Sequence, residues 1–96
     1  MKVYISGAIS GRNIEDSKHQ FSIASRYLIS EGYDVVNPFN LETALLYSLQ
    51  MKIDIKALLE CDAIYMLGGW QFSKGAKAEH DVAEICGMKI MEGVLS

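Results

Sequence analysis

The sequence predicts an α/β fold, a flavodoxin- or Rossmann-like three-layer sandwich around a four-stranded parallel sheet of order 2-1-3-4. Short segments rich in β-branched and apolar residues alternate with longer segments of helical periodicity. The strand segments are apolar at successive positions, as strands buried on both faces are. Glycine or proline stands at most of the boundaries between segments, and right-handed crossovers between successive strands complete the order.

The elements follow in turn. KVYIS (2 to 6) reads as the first strand, and GAISGR (7 to 12) as the turn after it. Asn13, with Asp16 three residues later, marks the start of a helix to about Glu31 that buries Phe21, Ala24 and Leu28 and stops at Gly32. YDVVN (33 to 37) reads as the second strand, ended by Pro38. Residues 41 to 60 are helical in composition and read as two helices broken near Ser48 to Met51. AIYMLG (63 to 68) is a third, wholly apolar strand, and GWQFSK is the loop after it. A helix beginning near Ser73 to Gly75 and ended by Gly87 leads into a fourth strand, MKIMEGV (88 to 94). All 96 residues are expected to form one domain with no repeat or linker.

Composition narrows the function. The first residues, with one lysine and an apolar run broken by Ser6 and Gly7, read as a strand and not as a cleavable signal. No apolar run approaches the roughly 20 residues of a membrane span, so a cytoplasmic protein without a membrane partner is expected. Cys61 and Cys86 read as buried apolar thiols of a reducing compartment; no spacing suggests a metal, and no cofactor is expected. A net charge of −3 without a basic stripe argues against a nucleic-acid groove. Small molecules and protein partners remain. Residues 41 to 59 carry more apolar side chains than one sheet face covers, which predicts a homodimer or higher homo-oligomer.

In a doubly wound sheet, ligands bind beyond the carboxyl ends of the strands where the order reverses, here between strands one and three. That rule selects two loops, 7 to 12 and 68 to 75. The first is either an anion-binding strand-to-helix turn or a simple tight turn. In the second, Gly68, Gly69 and Trp70 form either an anchored surface loop or a flat wall on which a base or sugar stacks. Tyr4, from its position alone, reads as a packing residue, and Asp54, between Ile53 and Ile55, as a solvated helix residue. Asp62 reads as a helix-to-strand turn residue, and His19 and His80 as surface residues. Glu79 differs from these. It falls on the stripe that carries Val82, Ala83 and Cys86, where an unpaired carboxylate is costly and no neighbouring arginine neutralises it. A functional carboxylate is the favoured reading, against a rim residue.

YISG near the start, Asp54 eight residues before Asp62, the apolar strand after it, and SKGAKAE with Ser73, Gly75 and Glu79 together resemble the nucleoside 2-deoxyribosyltransferase superfamily, which includes deoxynucleoside 5′-monophosphate N-glycosidases. YISGxxxG with GWxxSxGAxxEH is similar to a small, often phage-borne branch of it, over nearly the whole chain. The resemblance implies that Glu79 attacks C1′ of the sugar, that Tyr4 orients and tunes it, and that Asp54 binds sugar or base. It also implies substrate contacts from Gly7, Ser10, Gly11, Arg12, Gly69, Trp70, Ser73 and Gly75, the small-molecule partner being a nucleoside or nucleotide. Family members acting on free nucleosides carry an acid where this chain has Ser73. A serine there is the monophosphate hydrolases' choice, which tilts the substrate toward a nucleotide. Those hydrolases carry an arginine where this chain has Ser10, so Arg12, Lys74 or Lys77 is expected to supply positive charge.

Two functions follow. Retention of Tyr4, Asp54 and Glu79 together favours N-glycosidic cleavage or deoxyribosyl transfer on a deoxynucleoside or its monophosphate. The serine at position 73 and the short stretch after the fourth strand favour a non-catalytic module that binds or sequesters a nucleotide-like ligand.

Overall fold

Alternation along the strands decides how the layers assemble. In the computed structural model, which describes residues 1–9 and 13–93, a four-stranded sheet has the order β2-β1-β3-β4, every pairing parallel. Its strands are β1 (Lys2–Ser6), β2 (Asp34–Val36), β3 (Ala63–Met66) and β4 (Lys89–Glu92). Three helices cover them: α1 (Ile14–Ser30), α2 (Tyr47–Leu59) and α3 (Lys74–Ile85). Successive side chains of a strand point to opposite faces. Val3, Ile5, Ala63 and Tyr65 therefore meet Phe21, Ala24 and Leu28 of α1, while Tyr4, Ile64 and Met66 meet Leu58 of α2 and Ala76 and Ala83 of α3. The expected sandwich and strand order are present.

α1 begins where expected, because Asn13 Oδ1 accepts from the backbone N–H groups of Glu15 (2.9 Å) and Asp16 (3.2 Å). Gly32, at φ 92°, turns the chain out of the helix in a conformation that a side chain disfavours. Two expectations need correction. Residues 41 to 60 form one helix and not two. The chain continues through Ser48 to Met51 without a break, and the stretch before Tyr47 is not helical. The cause is Gln50, whose side-chain carbonyl accepts from Ala44 N (2.8 Å) and whose amide donates to Glu42 O (3.1 Å), so a side chain satisfies backbone groups that a helical ladder would otherwise engage. Cys61 is buried as expected, but Cys86 is exposed: α3 ends at Ile85, and Cys86 caps it on the outside just before the turn at Gly87.

Gly7, directly after β1, marks a close approach. A Cβ there would lie 2.9 Å from Leu67 Cδ1 and 3.0 Å from Leu67 Cβ, and Leu67 is itself buried. Gly7→Ala should therefore destabilise the fold by about 1–3 kcal/mol. A urea midpoint equal to that of the wild type would contradict this contact.

Candidate functional site

α3 carries the unusual carboxylate. The helix is capped by Ser73, whose Oγ accepts from Ala76 N (3.2 Å), and its buried stripe is Ala76, Glu79 and Ala83, at helical spacing. Gly75 lets this first turn approach α2: a Cβ at that position would stand 2.6 Å from the Tyr47 hydroxyl and 3.2 Å from Met51 Sδ. Glu79, 5% exposed, lies against β1 at the sheet's centre. Two β1 side chains on one face meet it. The Tyr4 hydroxyl donates to Glu79 Oε2 at 2.7 Å, and the Ser6 hydroxyl donates to Glu79 Oε1 at 2.7 Å. Both carboxylate oxygens are hydrogen-bonded, and among the described residues no buried side-chain nitrogen or oxygen lacks a partner.

Burial raises the Glu79 carboxyl to about 7; the hydrogen bonds from Ser6 and Tyr4 pull it down and the charge of Asp54 pushes it up. Near neutral pH the group lies between its two forms. Tyr4 is held far above the ordinary phenol range, first by burial and then by the Glu79 charge, so it remains a proton donor. Asp54, on α2, is 6% exposed and not solvated; burial raises its affinity for a proton, while Gln50 Nε2, donating to Oδ1 at 3.0 Å, favours the ionised form. The i, i+4 spacing of Gln50 and Asp54 allows that contact.

These groups open on a pocket enclosing about 490 Å³ of empty space, its mouth included, beyond the carboxyl end of β1. Tyr4, Asp54, Glu79, Gly7, Ser73 and Gly75 all line it, along with Gln50, Tyr47 and Met51 of α2. Gly69 and Trp70 do not. Gly69, at φ 82°, opens the short turn Trp70–Phe72, and the Trp70 indole lies stacked against His80 (4.3 Å between centroids, 19° between planes) with Nε1 donating to Glu92 Oε2 at 3.4 Å. One face of the expected stacking wall is thus already covered by a side chain. Ser10, Gly11 and Arg12 lie outside the described residues. Lys74 and Lys77 are exposed, and among the described residues that line the pocket none is basic. Nor do the described residues contain a group of three or more His, Cys, Asp or Glu side chains able to hold a metal.

Three contributors escaped the reading of the sequence. Ser6 was legible, because strand alternation puts it on the face of Tyr4. Gln50 was legible only as a neighbour of Asp54, and nothing local marks Tyr47 as a pocket residue. Chemically, the site offers a fixed carboxylate held by two hydroxyl donors, a second carboxylate with raised proton affinity, and a helix N-terminus at the pocket edge, where backbone N–H groups favour an anion.

A family model described as "Domain of unknown function (DUF4406)" matches residues 1–92. Among solved structures, the chain is similar to that of a Clostridium botulinum CMP N-glycosidase, BcmB, at 25% sequence identity and a TM-score of 0.69, covering 96% of this chain and 70% of the other. No curated protein matches the chain.

The raised Glu79 carboxyl links stability to pH. In the unfolded chain it ionises near 4.5, in the folded one at about 7, so between these values the folded state binds more protons and stability falls as pH rises. The penalty is absent below 4.5 and complete above 7, at about 3 kcal/mol. Glu79→Gln should therefore gain urea resistance relative to the wild type as pH rises from 5 to about 8. A difference between the two proteins that stays constant with pH would refute the linkage.

Proposed function

This chain belongs to the family described as Domain of unknown function (DUF4406), within the nucleoside 2-deoxyribosyltransferase-like superfamily, and on the geometry of its pocket we propose that it cleaves the N-glycosidic bond of a nucleoside monophosphate with Glu79 as nucleophile. The observation that carries this reading is the buried Glu79 carboxylate, held at 2.7 Å by the Tyr4 hydroxyl and facing an open pocket. Similarity to a protein described as a CMP N-glycosidase supports the bond class and favours a nucleotide over a free nucleoside.

The chemistry proceeds in two displacements. A Glu79 oxygen forms a bond to C1′ as the C1′–N bond breaks, through an oxocarbenium-like state that a nearby anion stabilises. The base leaves with that electron pair and takes up a proton; Asp54, with its raised proton affinity, faces the pocket and can supply it or hold the sugar or base. Water then attacks C1′ and gives its proton to the Asp54 carboxylate, while the C1′–Glu79 bond breaks to release the sugar phosphate and the Glu79 carboxylate. Tyr4 stays protonated throughout, donating to the carboxylate before attack and to the ester after it. Ser73, the first N–H groups of α3 and Gly7 line the pocket and suit the phosphate, and the resemblance assigns Ser10, Gly11 and the cationic Arg12 to the same substrate. Gly75 serves by letting α3 approach α2.

Incubation with ribo- and deoxyribonucleosides and their monophosphates should release free base, with monophosphates preferred. Glu79→Gln should abolish release while retaining binding, and Tyr4→Phe should slow it by roughly 10- to 100-fold in a folded protein. Thermal stabilisation by a nucleotide without release of base from the wild type would reject the enzyme in favour of a binding module.

Self-association is the second part of the proposal. Leu45, Leu46, Tyr47 and Leu49 remain exposed at and before the start of α2, and Tyr47 belongs both to this apolar run and to the pocket lining. A homodimer or larger homo-oligomer would cover them. Light scattering at micromolar concentration should give a multiple of 10.7 kDa; a monomer mass would exclude it.

A further inference from the structure

Every strand position that faces α2 and α3 along the sheet's centre is occupied by a large side chain, Tyr4 on β1 and Ile64 and Met66 on β3, except position 6. There a serine is 1% exposed, and its hydroxyl is spent on Glu79 Oε1 at 2.7 Å. A hydroxyl in such a layer is costly unless it is bonded, and an apolar residue would pack there without that requirement. Its position is rigid. Ser6 is the last residue of β1, paired with Met66, and its carbonyl accepts from Leu67 N at 2.8 Å. The last torsion of a glutamate is soft and roughly two-fold, so a single donor such as Tyr4 leaves the carboxylate plane free to turn about its own axis. A second donor on the other oxygen removes that freedom.

We propose that Ser6 is a positioning residue for Glu79: its hydroxyl, acting with that of Tyr4, locks the plane of the carboxylate toward the pocket and favours its ionised form over the neutral one. The inference deepens the nucleophile reading above and rests on it for its catalytic consequence, but the clamp itself exists with or without substrate. The ionisable groups that line the pocket with Glu79 are Tyr4 from β1 and Tyr47 and Asp54 from α2; none of them is a cation, so the hydroxyl donors are what favours the charged form among the described residues.

The test combines a titration that needs no substrate with a rate. With ¹³C-labelled glutamate carboxyls, and Glu79→Gln to identify the resonance, the Glu79 midpoint of Ser6→Ala should lie about one pH unit above that of the wild type. Ser6→Cys, whose thiol is a weaker donor, should fall between the two. In base release from nucleoside monophosphates, Ser6→Ala should lower kcat about tenfold at pH 6.5, recover part of it at higher pH, and leave KM within about twofold. A folded Ser6→Ala with an unmoved midpoint and an unchanged pH–rate profile would overturn the proposal while leaving the enzyme reading intact. A raised midpoint in a protein whose wild type releases no base would uphold the clamp and reject the catalytic reading. If Ser6→Ala does not fold, Ser6→Cys decides: a midpoint equal to that of the wild type overturns the proposal, and a raised one supports it.

Discussion

A carboxylate that is 5% exposed, with no cation against it among the described residues, must be satisfied by neutral donors, and the Glu79–Tyr4–Ser6 cluster is how this fold does it. The requirement reaches far into the architecture. Two donors two residues apart on one strand reach the same carboxylate only if that strand is extended and lies beneath the helix that carries the acid. β1 must therefore occupy the sheet's interior, as it does between β2 and β3. α3 must also start beside the pocket, and the Ser73 cap opens it there while the missing side chain of Gly75 lets its first turn pack against α2.

The cluster is balanced and not merely stabilised. Burial pushes Glu79 toward its neutral form and the two hydroxyls pull it back, leaving its carboxyl at about 7. A second carboxylate, Asp54, opposes the charge from across the pocket, and it is itself tied by Gln50 to the segment that precedes α2. Gln50 thus joins the pocket floor to a stretch of backbone with no regular structure of its own, using one amide to satisfy three partners. Sites that carry chemistry commonly show this pattern, in which groups are held away from their preferred ionisation by an environment that the rest of the fold maintains.

Much of the fold was legible because its cues are local. Asn13 before α1, Gly32 after it, Ser73 before α3 and Gly87 after it are capping signals set by short-range hydrogen bonding and backbone sterics, and each stands where the chain turns. The unbroken apolar runs of Tyr4-Ile5 and Ala63 to Met66 reported two-sided burial, and the helices do cover both faces. The segment before α2 was misread for the converse reason. Its helical composition is real, but its backbone is engaged by the Gln50 side chain from the following helix, a contact that no propensity encodes. Cys86 similarly keeps the spacing of a buried stripe yet falls beyond the last helical residue, where that spacing loses its meaning.

What the sequence by itself determined was the strand order, the place of the crevice, and the oddity of a carboxylate on the inner stripe of α3. Those conclusions follow from periodicity, because side-chain direction in a strand or helix depends only on position along it. What only the tertiary structure decided was which groups answer that carboxylate. Tyr4 and Ser6 are more than 70 residues away from Glu79 in the chain, Asp54 turned out to be buried and not solvated, and Trp70 turned out to stack on His80 outside the pocket. Contacts between distant segments depend on how helices seat against the sheet. That seating is set by packing volume at positions such as Gly7 and Gly75, where absent side chains let two elements approach, and packing volume is a property of pairs that a single stretch of sequence does not carry.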